Sequence, residues 1–249
     1  MMHRVAGISE PLKKETLYPD SDGKPMSDNT LQFLWISLLK GNLDILFSNN
    51  PNVFIAGDLL WYPVLGSPKI RYAPDTLVAF GRPKGYRGSY KQWEEENIPP
   101  QVVFEVLSPS NSTMEMIKKL RFYEQYGVEE FIIIDPDKPS FEVWERQEDR
   151  LQAIEIKQAG WTSKRMGIHI KKDPESGAVL VTYPDGRPFM DHVSLNEYAE
   201  EQKQMAEAQK QIAEAQKQIA DEERKQKEAL SKENARLKAK LKELGLLDE

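Results

Sequence analysis

The chain has 249 residues, 39% of them hydrophobic and 30% charged, with a formal net charge of −6 at pH 7 and no cysteine. The missing cysteine excludes disulfides, thiolate catalysis and cysteine-rich zinc sites, and it fits a reducing compartment. The acidic balance excludes a strong general electrostatic grip on nucleic acid, so any such contact needs a local basic patch or metal ions.

No apolar run approaches the ~20 residues that cross a bilayer. Lys13, Lys14 and Glu15 interrupt the N-terminus before any signal-peptide core can form. A cytoplasmic protein without a membrane partner is expected. The polar tail, residues 201–249, carries 11 acidic and 11 basic residues, leaving 29 acidic and 23 basic residues in the first 200. The net charge therefore belongs to the preceding part.

Residues 1–26 mix charge with Pro11, Pro19, Gly23 and Pro25 without a period and predict an irregular arm. Ser27, Asp28 and Asn29 offer capping oxygens to a helix whose stripe reads Leu31, Leu34, Trp35, Leu38 and Leu39. Gly41 is a candidate interruption, and Asn49-Asn50-Pro51 ends the helix. Strands are predicted at Val53 to Ala56, Leu59 to Tyr62 and Thr76 to Phe80. A loop over Gly81 to Pro100 leads to the strongest strand signal, Val102 to Leu107. Ser108 to Thr113 then caps a helix running to Tyr126, which Gly127 stops. Phe131 to Ile134 is a short apolar strand ended by Asp135-Pro136. Phe141 to Trp144, Leu151 to Ile156 and Ala178 to Tyr183 are predicted antiparallel additions. Strands apolar on both faces imply helices on both sides of a mixed sheet.

The tail repeats itself: Ala206 to Ile212 recurs as Ala213 to Ile219. Met205, Ile212 and Ile219 lie seven apart, with Ala208 and Ala215 at the matching second seam position. Leu230 follows after a stutter, and Leu237 and Leu244 resume the step. Either a self-associating coiled coil or a solvated single helix satisfies this pattern, and the length of the seam favours a homo-oligomer.

Chemistry concentrates around Glu105. Val103, Glu105 and Leu107 share one side of their strand, so a carboxylate interrupts an apolar face. Buried there, it needs a cation, hydrogen-bond donors, or a structural ion pair. Asp75 enters the preceding strand, and two adjacent strands can bring the two carboxylates side by side, as Mg²⁺ sites do. In the helix that follows, Met116, Ile117, Leu120 and Tyr123 form the predicted buried stripe. Lys118 faces away with Arg121 and Gln125, whereas Lys119 lies at the border of the core. Lys119 either snorkels to water or delivers its ammonium to the carboxylates. His3, His169 and His192 lack ligand spacing.

Pro74-Asp75, Val103 to Ser108, Lys119 four residues before Tyr123, Gly127-Val128 and Ile134-Asp135-Pro136 together resemble the Uma-type restriction endonuclease family, within the PD-(D/E)XK nuclease superfamily. The resemblance covers about residues 25–195, and the tail is similar to tails in that family. It implies Asp75 and Glu105 as metal ligands and Lys119 as the catalytic lysine, supplied from the helix because Leu107 occupies the superfamily's usual lysine position. Asp28 is the nearest candidate for an acidic residue from the first helix. Glu115 stands where family members more often carry Asp.

The expectation is an α/β restriction-endonuclease-like domain at 27–196, preceded by the arm at 1–26 and followed by a coiled coil at 197–249. Its implied activity is Mg²⁺-dependent hydrolysis of DNA. The alternative is a catalytically silent nuclease fold that scaffolds partners through its tail.

Overall fold

A computed structural model describes residues 18–21, 23 and 27–243. Its contacts divide the chain into two units, Met1–His192 and Val193–Glu249. Most of the predicted arm, including Pro11, Pro25 and His3, lies outside the described residues.

The first unit is built on a six-stranded mixed sheet. Its strands are β1 (Val53–Gly57), β3 (Thr76–Phe80), β5 (Val102–Val106), β6 (Glu130–Asp135), β7 (Ser140–Gln147) and β8 (Arg150–Ala153), in the order β1-β3-β5-β6-β7-β8. Only β5 and β6 run parallel, joined through α2 (Thr113–Tyr126), and the other neighbours are antiparallel. The central strands are buried on both faces, which explains their unbroken apolar runs.

One face of the sheet is covered by α1 (Thr30–Leu46) and by a second sheet. That sheet comprises β9 (Trp161–Thr162), β10 (His169–Lys172) and β11 (Val179–Thr182), in the order β11-β10-β9. The other face is covered by α2, with Trp61 and Tyr90 from the short parallel pair β2 (Trp61–Tyr62) and β4 (Tyr90–Lys91).

α2 forms where its sequence signals say it should. Ser112 accepts the backbone N–H of Glu115, and Gly127 closes the last turn at φ 97°, a conformation that disfavours side chains. A Cβ there would also lie 3.0 Å from Pro99. Arg146 on β7 donates to the carbonyls of Tyr123, Glu124 and Val128, satisfying groups that a helix C-terminus leaves open.

Several expectations are corrected. Gly41 does not interrupt α1, whose seventeen residues are continuous. Its buried residues are Gln32, Ile36, Leu39, Asn42 and Leu43, while Leu31 and Leu34 are exposed. Two buried amides shift the face away from the apolar stripe, and both are bonded: Gln32 to the carbonyl of Val106, Asn42 to Tyr183 and Met190. Ile117 of α2 is exposed, and Phe122 with Tyr123 holds the core. Leu59 and Leu60 lie outside β2, and β8 stops at Ala153, before Ile156. The loop over 81–100 contains β4, and β9 and β10 are additional strands.

The second unit is formed by α3 (His192–Glu243) from Val193 onward. Residues 199–242 are all exposed, including the seam positions Met205, Ile212, Ile219, Leu230 and Leu237. Leu244 lies outside the described residues. Among those described, no helix is long and apolar enough to cross a membrane.

Candidate active site

Alternation along β5 sends Val103 and Glu105 toward α2, and Val102, Phe104 and Val106 toward α1. Glu105 is only 2% exposed. Carboxyl oxygens so far from water must be occupied by partners. Both are: Lys119 Nζ reaches Oε2 at 2.8 Å, and the Tyr123 hydroxyl donates to Oε1. Lys119 and Tyr123 are four residues apart on α2, one helical turn, so a single helix face delivers both donors.

Asp75 lies immediately before β3. The register pairs Thr76 with Phe104, so the next step sets Asp75 against Glu105. Its Oδ2 accepts the Val106 N–H at 2.6 Å, and the two carboxyl groups are within hydrogen-bond reach of each other. Burial pushes the Asp75 carboxyl up to about 8, and the charge of Glu105 adds to the rise; Lys119 and the Val106 amide oppose it. Two carboxylates this close cannot both ionise freely at neutral pH without a cation between them.

Burial alone would lower the pKa of Lys119. The Glu105 carboxylate, with Asp75 and Glu115 behind it, outweighs that effect and drives the net shift upward. Lys119 therefore remains an ammonium across the working range of proteins. Burial, then Glu105, likewise raises the Tyr123 phenol well above its usual value, so it stays a donor.

Asp75 and Lys119 line a cleft of about 560 Å³ whose other walls include Asp28, Gln32, Asp58, Lys69 and Arg71. Asp28 does not cap α1; Asn29 does, accepting the N–H of Gln32. Asp28 instead accepts the hydroxyls of Ser108, at 2.5 Å, and Ser110, tying the start of α1 to the loop between β5 and α2.

The structure thus brings Asp75, Glu105 and Lys119 together and sets Asp28 on the cleft wall. Neither His169, on β10, nor His192, at the start of α3, lines the cleft. The sequence reading missed Lys69 and Arg71, which lie in a stretch without periodicity, and the bond from Tyr123 to Glu105. The only available signal for Tyr123 was its four-residue spacing from Lys119.

Among the described residues there is no group of three or more His, Cys, Asp or Glu with metal-site geometry. Mg²⁺ is commonly held by one or two carboxylates, with water and phosphate filling the other positions. Two buried carboxylates in mutual repulsion, beside an open polar cleft, fit that donor set.

A family model described as "Putative restriction endonuclease", Uma2, matches residues 24–169. No curated protein matches the chain. Among solved structures, a "putative nuclease belonging to DUF820" from Anabaena variabilis ATCC 29413 is similar at 17% identity and a TM-score of 0.45. The match covers 59% of this chain and 80% of that one.

Proposed function

This chain belongs to the Uma2 family, and on that premise we propose that it is a Mg²⁺-dependent endonuclease hydrolysing DNA phosphodiester bonds in the cleft beside Asp75, Glu105 and Lys119. The observation that carries this reading is that Asp75 and Lys119 line one open polar cleft, with the buried Glu105 directly behind them, bonded to Lys119 and opposite Asp75 in the sheet.

Asp75 and Glu105 would hold the cation, which when bound lowers the pKa of its water and draws charge from the scissile phosphate. The chain's own groups do the rest. Tyr123 and Lys119 fix both oxygens of Glu105, so the carboxylate meets its ligand without reorganising. Lys119, held as an ammonium, orients the attacking water by donating a hydrogen bond to its oxygen and offsets charge that builds at phosphorus. Water gives up one proton to solvent as it adds to phosphorus, the bond to one ester oxygen breaks, and the departing alkoxide takes up a proton from solvent. Lys69 and Arg71, on the wall of the cleft, are cations within the reach of a bound phosphodiester.

A second reading, a catalytically silent nuclease fold that assembles through its tail, draws support from the acidic balance of the first 200 residues. The decisive assay incubates plasmid and single-stranded DNA with the full chain, with Mg²⁺ or EDTA, beside Glu105→Gln. Cleavage that requires both Mg²⁺ and Glu105 supports the enzyme. A wild type that neither cleaves nor binds Mg²⁺ by calorimetry supports the scaffold.

A further inference from the structure

The acidic chain contains two stretches that are basic and free of carboxylates, residues 76–93 and 156–172, and the second is the richer in unpaired lysines. Residues 156–172 hold Lys157, Lys164, Arg165, Lys171 and Lys172 and no Asp or Glu. Two of these charges are spent within the fold, Lys164 on Glu145 and Arg165 on Glu129. Lys157, Lys171 and Lys172 form no salt bridge among the described residues.

These three lysines line a groove of about 670 Å³ between the start of β7 and the turn before β9. The groove has a defined wall. Gly160, at φ 89°, brings that turn so close to β10 that a Cβ would lie 2.4 Å from the carbonyl oxygen of Ile170. Alternation along β10 buries Ile170 and turns His169 and Lys171 outward, and Thr162 Oγ1 holds His169 Nδ1 at 2.9 Å. His169 and Lys171 also line a second groove on the β11 side. The one carboxylate on the rim, Asp173, is engaged by the N–H groups of Glu175 and Ser176.

The position matters as much as the charge. Register across the main sheet runs from Glu105 to Ile133 to Glu142, next to Phe141 of the groove. The groove therefore opens at the same end of the sheet as the carboxylates, two strand spacings or about 10 Å across. It lies on the opposite face, where β10 packs. A duplex lying over that end, whose major groove alone is about 12 Å wide, spans this offset.

We infer that Lys157, Lys171 and Lys172 form a docking surface for the phosphodiester backbone of duplex nucleic acid, separate from the carboxylate cleft. The choice of occupant rests on the nuclease reading; the surface itself rests on charge and position. Backbone contacts of this kind release counterions, and each neutralised phosphate steepens the salt dependence of binding by about 0.9 in log–log slope.

The test is fluorescence anisotropy of the full chain with a duplex of about 30 base pairs, without Mg²⁺, across a salt series. Lys157→Gln/Lys171→Gln/Lys172→Gln should flatten the slope by about 2–3 and weaken low-salt binding at least about ten-fold. Circular dichroism should find the same fold, since Lys157 and Lys172 are exposed. An unchanged slope and affinity overturns the inference, as does a wild type that does not bind the duplex. So does a wild type that grips phosphatidylserine vesicles or poly-glutamate as tightly as DNA through the same lysines. A chain that binds in this way but never cleaves retains the surface and loses the nuclease reading; cleavage with an unchanged slope in the triple variant does the reverse.

Discussion

Asp75 and Glu105 meet one register step beyond the Thr76–Phe104 pair, with Asp75 Oδ2 fixed by the Val106 amide and Glu105 held by Lys119 and Tyr123. Neither carboxyl is positioned by its own strand alone. Each is tied to the backbone or helix beside the other, so the distance between them is set by the sheet. A divalent ion placed there would find its ligands already oriented.

That pairing has a pH signature. The Asp75 carboxyl is raised from the ordinary 3.8 to about 8 by burial and by Glu105, against the opposing pull of Lys119 and the Val106 amide. Between those values the folded metal-free protein keeps a proton that the unfolded chain has lost. The contribution is thus fully present below about pH 4 and lost as pH rises through about 8. Asp75→Asn should match wild type near pH 4 and exceed its stability at pH 8.5 by on the order of 1–3 kcal/mol. Mg²⁺ should restore wild type at the alkaline end, since the cation replaces the proton, and leave Asp75→Asn unmoved. Denaturant melts across pH check this, and a flat wild-type profile from pH 5 to 8.5 would refute the shared-proton picture.

The two adjacent lysines of α2 should separate cleanly. Lys119 contacts Glu105 and its side chain is 12% exposed, whereas Lys118 is exposed. Lys119→Ala should cut kcat by about 10²–10³, the usual scale for removing a charge-stabilising donor, and Lys118→Ala should stay within a few-fold. Steady-state cleavage of a defined duplex measures both. Equal losses would mean that Lys119 acts only as one of many surface charges.

Tyr123→Phe removes one hydroxyl from a fully buried contact and leaves Oε1 of Glu105 unsatisfied. The expected stability loss is about 1–3 kcal/mol. As a positioning residue, Tyr123 should lower kcat while leaving the KM for DNA unchanged. A stability loss with unaltered kcat would assign Tyr123 to packing alone.

The tail poses a separate question. Met205, Ile212, Ile219, Leu230 and Leu237 are all exposed along α3. Burying each fully against a partner would contribute about 1.5–3 kcal/mol, enough in sum to hold two helices together. We predict that the full chain is a dimer or higher oligomer and that truncation after Asn196 leaves a folded monomer. Leu237→Lys should weaken association more than Ile212→Lys, because Ala208 and Ala215 leave the first half of the seam thin. A light-scattering mass of one chain at tens of micromolar would exclude self-association through this seam.

Local signals sufficed where local physics decides. The continuous apolar runs of β3, β5 and β6 were legible because a strand buried on both faces can carry little else. The bounds of α2 were legible because Ser112 and Gly127 supply what helix ends lack. The odd position of Glu105 in its strand, and the turn of helix between Lys119 and Tyr123, likewise follow from period alone. What periodicity could not supply was partners. Gln32 and Asn42 read as polar and therefore outward, yet their amides are satisfied by groups 74 and 148 residues away, which rotates the buried face of α1. The pairing of Asp75 with Glu105 depends on a register that only the packed sheet sets, because slipping one residue would turn every side chain to the other face. Lys69 and Arg71 reach the cleft, and Lys157 shares a groove with Lys171 and Lys172, because the chain returns there in three dimensions. Charge is additive along a sequence; where it gathers is decided by the fold.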